Sequence, residues 1–282
     1  MKIYIVIPAH NEAEFIGKTL QSLVEQSFLP SKIVVVDDQS SDNTSEIVSG
    51  FIKKYPFISL VKNSSSEEHL PGSKVINAFN KGYQTLDEAY DIICKFDADL
   101  IFPKDYIKTI RQHFEADPKV GMAGGFCSVL KNETWILENL TDTDHLRGAL
   151  KAYRKACFLE IGKLKPAMGW DTADELLAQF HGWSVKTDKE LLVHHLKPTG
   201  ATYRSSSKYR QGEAFYRLRY GFAITCIASA KLAYLKKELS LFKDYLSGYF
   251  KAKKEKRPFL VTKQEGRFIR KLRWDKMRKK IF

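Results

Sequence analysis

Cysteine is scarce in this 282-residue chain: only 4 occur, Cys94, Cys127, Cys157 and Cys226, and no two form a CxxC pair. That spacing argues against a zinc ribbon and gives no disulfide framework, so a reducing compartment is expected. Long hydrophobic runs are also missing. The longest apolar stretch towards the C-terminus, "FAITCIASA" (Phe222–Ala230), stops at Lys231, whereas a spanning helix needs about 20 such residues. The opening "MKIYIVIPAHNE" turns polar too soon to be a signal peptide. A cytoplasmic protein is therefore expected. Glycine is absent from "PAHNEAEF", the turn after the first apolar run, so the GxGxxG dinucleotide fingerprint is missing. No RRM, KH or zinc-finger signature occurs, and no nucleic-acid partner is expected.

Acidic residues are sparse in one region only. From Arg204 to Phe282 there are 23 Lys+Arg against 6 Asp+Glu, a balance of +17, whereas residues 1–203 carry −4, and together they make the net charge of +13. Basicity concentrated in this way points to an anionic membrane surface, an acidic ligand or a nucleic acid.

The first hundred residues alternate strand-like and helix-like segments. "KIYIVIPA", "KIVVVDD", "ISLVKN" and "YDIICKF" read as strands, and "NEAEFIGKTLQSLVEQSF", "SDNTSEIVSGFIKKY" and "GSKVINAFNKGYQTLDEA" as helices with one apolar face. Asn11 and Glu14 have the spacing of a capping pair. The alternation predicts an α/β fold with a mainly parallel sheet covered on both faces. Further on come a helix "FPKDYIKTIRQHFEADP" and a strand "VGMAGGFCSVL" kinked at Gly124–Gly125. Then follow a strand-to-helix segment "RGALKAYRKACFLEIGKL", a helix "WDTADELLAQFHGW" and a strand "SVKTDKELLVHHL". From about Ser205 the chain reads as helical, aromatic and basic.

Ligands of such sheets bind beyond the carboxyl ends of the strands. Pro8, Ala9, Asn11 and Glu12, then Asp37 and Asp38, then Asp97 and Asp99 all follow strands directly and are expected on one rim. Asp97-Ala98-Asp99 alone is a weak signal, since paired acids at a strand end are often a solvated turn. At this place it also suits a hard divalent cation, Mn²⁺ or Mg²⁺, which prefers carboxylate oxygens and substrate phosphates. Asp37 and Asp38 suit a ribose hydroxyl or a base N–H, or merely precede a helix capped by Ser40, Ser41 or Asp42. Asn11 could edge a base or act only as a cap.

The ordered set "IVIPAHNEAEFIGKTLQSLVEQSF", "KIVVVDDQSSDNTSEIV", "GSKVINAFNKGY" and "FDADL" resembles the nucleotide-sugar half of a family 2 glycosyltransferase of GT-A fold. The resemblance covers roughly residues 1–203. It implies a GT-A domain, with a nucleotide-sugar half over 1–100 and an acceptor half over 101–203, followed by a helical extension over 204–282. It further implies that Pro8, Ala9, Glu12, Asp37 and Asp38 border the nucleotide, that Lys74 and Asn80 line the nucleotide-sugar pocket, and that Asp97 and Asp99 hold metal and diphosphate.

The family also places an acidic base in a helix-opening acidic pair, ten residues before a Gly-aromatic end. Counting back from Gly182-Trp183 puts that pair at Trp170-Asp171. Trp170 departs from the pattern, and Asp171 keeps the acid. Thr172 and Glu175 have capping-box spacing and Asp174 suits a first helical turn, which would leave Asp171 just outside the helix. Asp174 and Glu175 stay open as alternatives. One of His194 and His195 is expected to face the metal site, since neighbours on a strand point to opposite sides.

The activity implied is an inverting, metal-dependent transfer of a sugar from a nucleoside diphosphate-sugar to an acceptor hydroxyl, in polysaccharide or glycolipid assembly. The acceptor would be a saccharide or a lipid-linked molecule, met by loops over Leu130–Arg147 and by the basic tail, with an anionic membrane surface as a further candidate partner. A sugar-1-phosphate nucleotidyltransferase is the enzymatic rival. A non-catalytic RNA-binding or scaffold protein is the rival from another class.

Overall fold

A computed structural model of the chain describes residues 1–64, 72–138, 145–197 and 208–281. Four parallel strands form one half of its sheet: β1 (Ile3–Ala9), β2 (Lys32–Asp38), β3 (Ile58–Asn63) and β4 (Ile92–Phe96). Their connections carry α1 (Ile16–Val24), α2 (Thr44–Ile52) and α3 (Ser73–Tyr83). The second half adds β5 (Leu100–Ile101), α4 (Tyr106–Ala116), β6 (Val120–Lys131), β7 (Thr134–Leu137), β8 (Leu150–Arg154), α5 (Lys155–Glu160), α6 (Trp170–Phe180) and β9 (Ser184–His195). Among the described residues the sheet runs β3-β2-β1-β4-β8-β6-β9-β5, with β7 on β6. β8 is antiparallel to β4.

The near-continuous apolar strands are explained by burial on both faces, as a sheet sandwiched between helices requires. Ile3, Ile5 and Ile7 of β1 join Ile33 and Val35 of β2 in a core with α1 and α4, while Tyr4, Val6, Val34 and Val36 face α3, α5 and α6. That alternation is the two-residue period of a strand. It also sets up two anomalies. Lys95 of β4 and Lys151 of β8 are register partners, and both are fully buried. They share the face of Ile93 and Tyr153, towards α6.

Four helices follow: α7 (Lys208–Arg217), α8 (Gly221–Leu235), α9 (Ser240–Lys254) and α10 (Lys263–Ile281). They pack on the sheet domain through Phe215, Leu218, Tyr220, Ile224 and Ile269, which share one apolar cluster with Trp170, Leu176 and Leu177 of α6. α7 and α9 cross at Gly212 and Gly248. A Cβ on Gly212 would lie 1.8 Å from the Tyr245 carbonyl oxygen, and one on Gly248 1.9 Å from that of Tyr209, so only glycine permits the crossing. No helix among the described residues is long and apolar enough to cross a membrane.

Two local expectations are corrected. Asn11 and Glu14 do not cap α1, which begins after Phe15 with no side-chain cap. Instead Asn11, with φ 54°, turns away and accepts from the Ser41 amide at 2.8 Å. Thr172 and Glu175 form no capping box either. The N-cap of α6 is Gly169, and Asp171 lies inside the first turn. The proposed boundary at 203/204, and part of the acceptor loop within Leu130–Arg147, fall outside the described residues.

Candidate active site

Three loops meet at the carboxyl ends of β1, β2 and β4. The β1 loop is fastened to the β2 loop by backbone donors: Asn11 N to Ser40 Oγ at 2.9 Å, Glu12 N to Thr44 Oγ1 at 2.8 Å and Ala13 N to Asp42 Oδ2 at 3.0 Å. Gln39 is left-handed like Asn11, with φ 58°. Such backbone strain in non-glycine residues clusters at functional sites. Asp37 accepts from the Ser40 amide at 2.9 Å and from the Ser45 hydroxyl. Its burial favours the neutral acid, but these donors outweigh it and hold the carboxyl below its ordinary range. Asp38 accepts from Asn63 Nδ2 at 2.8 Å, and its backbone carbonyl accepts a hydrogen bond from His10 Nδ1 at 2.7 Å. Asp42, rather than Ser40 or Ser41, reaches the first amide of α2, at 3.0 Å.

At the end of β4 the Asp97 amide donates to the Ala149 carbonyl at 2.8 Å, and its carboxylate accepts from buried Lys95. The Asp97 side chain keeps 32% of its surface exposed. Asp99 is buried, and its Oδ2 lies 3.3 Å from His195 Nε2. β5–β9 pairing brings the two together, with Leu100 opposite His195. One ligand atom from each of Asp97, Asp99 and His195 lies within 4.8 Å of the others. Two carboxylates and an imidazole fit a Mn²⁺ or Mg²⁺ ion that keeps open positions for phosphate oxygens. Burial alone would lower the His195 pKa, but its contacts with Asp99 and Glu138 and the field of Asp97 raise it to about 9. His194 faces the other way and stacks on Trp135, centroids 3.8 Å apart and planes at 11°. Burial lowers its pKa.

Glu12 stands close enough to feel the charges of Asp97 and Asp99, and burial raises its pKa against the pull of Lys197, whose Nζ is 2.6 Å away. Lys74 and Asn80 are half-buried on α3, on the helix that covers the far face of β1 and β2.

Asp171, Asp174 and Glu175 share the first turns of α6 with different fates. Lys151 Nζ reaches Asp174 at 2.8 and 3.0 Å and Glu175 at 3.1 Å, and also donates to the Asp171 carbonyl. Tyr153 donates to Asp174 at 2.5 Å. Glu175 accepts from the Leu146 amide at 2.9 Å, with His145 Nδ1 also at 2.9 Å. Burial pushes Asp174 up to about 6 against the pull of Lys151. Burial also opposes ionisation of Glu175, but Lys151 and His145 hold it below its ordinary range. The Asp171 side chain is half-buried. Gly148 packs against it: a Cβ there would meet Trp170 Cζ2 at 2.9 Å and Asp171 Cβ at 3.3 Å. The Gly148 carbonyl accepts at 3.0 Å from the same Lys95 that holds Asp97.

Residues 4–160 match the model of the family described as Glycosyl transferase family 2. The chain belongs to that family. The match ends before α6 and β9, so Asp171 and His195 lie beyond it. Among curated relatives, poly-beta-1,6-N-acetyl-D-glucosamine synthase of Staphylococcus aureus is 27% identical over 240 residues, 74% of this chain and 54% of that protein. The glycosyltransferase MG025 of Mycoplasma genitalium is 29% identical over 175 residues, 57% of this chain and 56% of that protein. The chain thus spans about half the length of the curated relatives it matches. Two solved structures share the fold. The mannosyltransferase PcManGT from Pyrobaculum calidifontis, in complex with GDP-Man and Mn²⁺, aligns at TM-score 0.60 and 17% identity over 89% of this chain and 74% of its own. S. aureus TarS 1–349 in complex with UDP-GlcNAc aligns at 0.58 and 18% identity over 89% and 73%. The fold of this family 2 member is therefore of the GT-A glycosyltransferase type.

Sequence reading missed Lys95, Lys151, Lys197, Glu138 and Arg147. The first two had a signal, a charged residue inside an otherwise buried strand, "IICKF" and "GALKAYR". Glu138 and Arg147, paired at 2.9 Å, had none.

Proposed function

We propose that this family 2 member is an inverting glycosyltransferase that moves a sugar from a nucleoside diphosphate-sugar to an acceptor hydroxyl in polysaccharide or glycolipid assembly. The observation that carries the proposal is the convergence of Asp97, Asp99 and His195, with Gly148 packed against Asp171 and bonded to the Lys95 that holds Asp97. Asp171 is the α6 carboxylate that Lys151 does not hold by its side chain.

In this reading Pro8, Ala9, Asn11, Glu12, Asp37 and Asp38 border the nucleotide, and Lys74 and Asn80 contribute from α3. Asp97, Asp99 and His195 would hold Mn²⁺ or Mg²⁺, which when bound neutralises charge on the diphosphate. Asp171 takes the proton of the acceptor hydroxyl as that oxygen attacks the anomeric carbon. The bond from that carbon to the diphosphate oxygen breaks on the opposite face, so the configuration inverts. Asp174 and Glu175 are less available as bases because their lone pairs already serve Lys151, Tyr153, His145 and the Leu146 amide. The nucleotidyltransferase reading is not favoured, because it expects a glycine-rich phosphate loop where this chain has "PAHNEAEF". A scaffold function leaves the rim carboxylates without a purpose.

The extension suits the cytoplasmic face of an anionic membrane. Tyr234 and Leu239, 78% and 81% exposed, sit with Leu235 at the turn between α8 and α9. Lys231, Lys236, Lys237 and Lys243 flank them along the chain. Each basic residue near such a surface adds about 1 kcal/mol. A lipid-linked acceptor would then be met in two dimensions. Flotation with anionic but not neutral vesicles, weakened by salt and lost in Tyr234→Ser/Leu239→Ser, is the expected result. Equal flotation on neutral vesicles, or none on either, leaves a soluble saccharide as acceptor.

The direct test of the donor site is thermal melting with a panel of nucleoside diphosphates, with and without Mn²⁺. A bound ligand at 100 times its Kd stabilises by about 2.7 kcal/mol. Asp99→Ala should retain the fold and lose the Mn²⁺-dependent part. An unchanged Mn²⁺-dependent shift in that variant removes Asp99 from the site.

A further inference from the structure

The two nitrogens of His195 face two different sets of ligands. Nε2 lies 3.3 Å from Asp99 Oδ2, and Nδ1 lies 3.8 Å from Glu138 Oε2. On the Glu138 side stands Cys127, buried on β6. Its carbonyl accepts from the Glu138 amide at 2.9 Å, and the parallel β6–β9 register sets Cys127 beside Val193 and Val129 beside His195. One ligand atom from each of Cys127, Glu138 and His195 lies within 4.8 Å of the others. Thiol, imidazole and carboxylate form the donor set of a tetrahedral zinc site with three protein ligands, and thiolate selects soft ions over Mn²⁺ and Mg²⁺.

We propose that Cys127, Glu138 and His195 form a second cation site, for a thiophilic divalent ion such as Zn²⁺ or Cd²⁺, whose occupation disables the neighbouring Asp97–Asp99–His195 site. The reason is the imidazole itself. A neutral ring has one lone pair and one N–H. With Nε2 as a ligand on the Asp99 side, Nδ1 keeps the proton and points it at Glu138, the usual carboxylate support of a metal-bound histidine. With Nδ1 on a soft ion, the proton must sit on Nε2 and point at Asp99, so that nitrogen can no longer coordinate. Binding releases the Cys127 proton to solvent and leaves the thiolate on the ion. Arg147 Nη2 contacts Glu138 Oε2 at 2.9 Å. A carboxylate has about four lone-pair sites, so that contact and coordination are compatible, and the guanidinium offsets the thiolate charge.

This inference rests on the donor-site reading only for its inhibitory half, and the two are measured separately. The full chain carrying Cys226→Ser, which removes the one half-exposed thiol, is titrated with Cd²⁺ and followed by thiolate-to-cadmium charge-transfer absorption. Mn²⁺ binding is followed by the electron paramagnetic resonance of free Mn²⁺. The expected result is one saturating Cd²⁺ with a thiolate band, absent in Cys127→Ser and in Cys127→Ala. Cd²⁺ should also suppress Mn²⁺ binding at a concentration at least about tenfold lower in the parent than in either variant, the scale on which disturbed metal ligands lose affinity. The absence of the band, its survival in both variants, or equal suppression of Mn²⁺ in all three proteins overturns the proposal. Mn²⁺ that never binds the parent defeats the donor-site reading, while the band still decides the thiolate site. Melting curves of the variants without metal confirm that each is folded.

Discussion

Lys95 and Lys151 are partners on neighbouring strands, both buried on the same face, with the Trp170 ring 5.3 and 5.5 Å from their ammonium groups. The acids they hold differ. Lys151 faces Asp174 and Glu175, which are buried and fully engaged. Lys95 faces Asp97, a third exposed and on the rim. A buried charge requires a partner, and both lysines have one. The difference teaches that, of the carboxylates these two lysines hold, the enclosed pair Asp174 and Glu175 is structural, whereas Asp97, which still meets water, is available for chemistry. Asp171 lies next to the closed cluster, but its side chain is half-buried where those of Asp174 and Glu175 are buried.

That contrast can be broken at four points. The largest effect is expected from Asp171→Asn, which preserves shape but cannot take a proton. Transfer should fall by about 10²–10⁴-fold with nucleotide-induced stabilisation unchanged. Steady-state transfer assays beside melting curves decide it, and near-normal turnover would move the base to Asp174 or Glu175. Next comes Lys151→Met, which strands two buried carboxylates. Removing one partner of a buried ion pair costs about 3–5 kcal/mol, to be read by urea unfolding. A loss well under 1 kcal/mol would mean that the cluster is not the closed unit described.

Lys95→Met should cost less, about 1–3 kcal/mol, since water can reach Asp97 in place of the ammonium. Asp97 would then carry an uncompensated charge, so Mn²⁺ affinity in the variant should rise, as titration calorimetry would show. The fourth point concerns pH. His195 has a folded-state pKa of about 9, above the ordinary histidine value of about 6.5. Its contribution to stability is therefore complete below about pH 6.5 and is lost as pH rises towards 9. Without metal the chain should lose about 3 kcal/mol over that window, and His195→Gln should flatten the profile. A parent profile as flat as the variant's would show that the ion contacts of His195 contribute nothing.

Much of the fold was legible because its signals are local. β1 to β4, the helices between them, the kink at Gly124–Gly125 and the helical extension all follow from periodicity that survives in short windows. The rim acids were legible for the same reason, since each ends a strand. The capping pairs Asn11–Glu14 and Thr172–Glu175 were misread. Capping spacing is a short pattern, and long-range partners took these side chains: the Ser41 amide for Asn11, and the Lys151 cluster for Glu175.

The sequence by itself determined the alternating architecture, the strand-end placement of Asp37, Asp38, Asp97 and Asp99, and the basic character of the last third. These rest on neighbours along the chain and on side-chain type. Only the tertiary structure decided that His195 rather than His194 meets Asp99, because β5–β9 register sets which strand face turns inward. It alone separated Asp171 from Asp174 and Glu175, because that depends on a lysine from a strand more than twenty residues away reaching full burial beside them. Ion pairs across a sheet depend on distance in space, and a one-residue change of register would reverse every face.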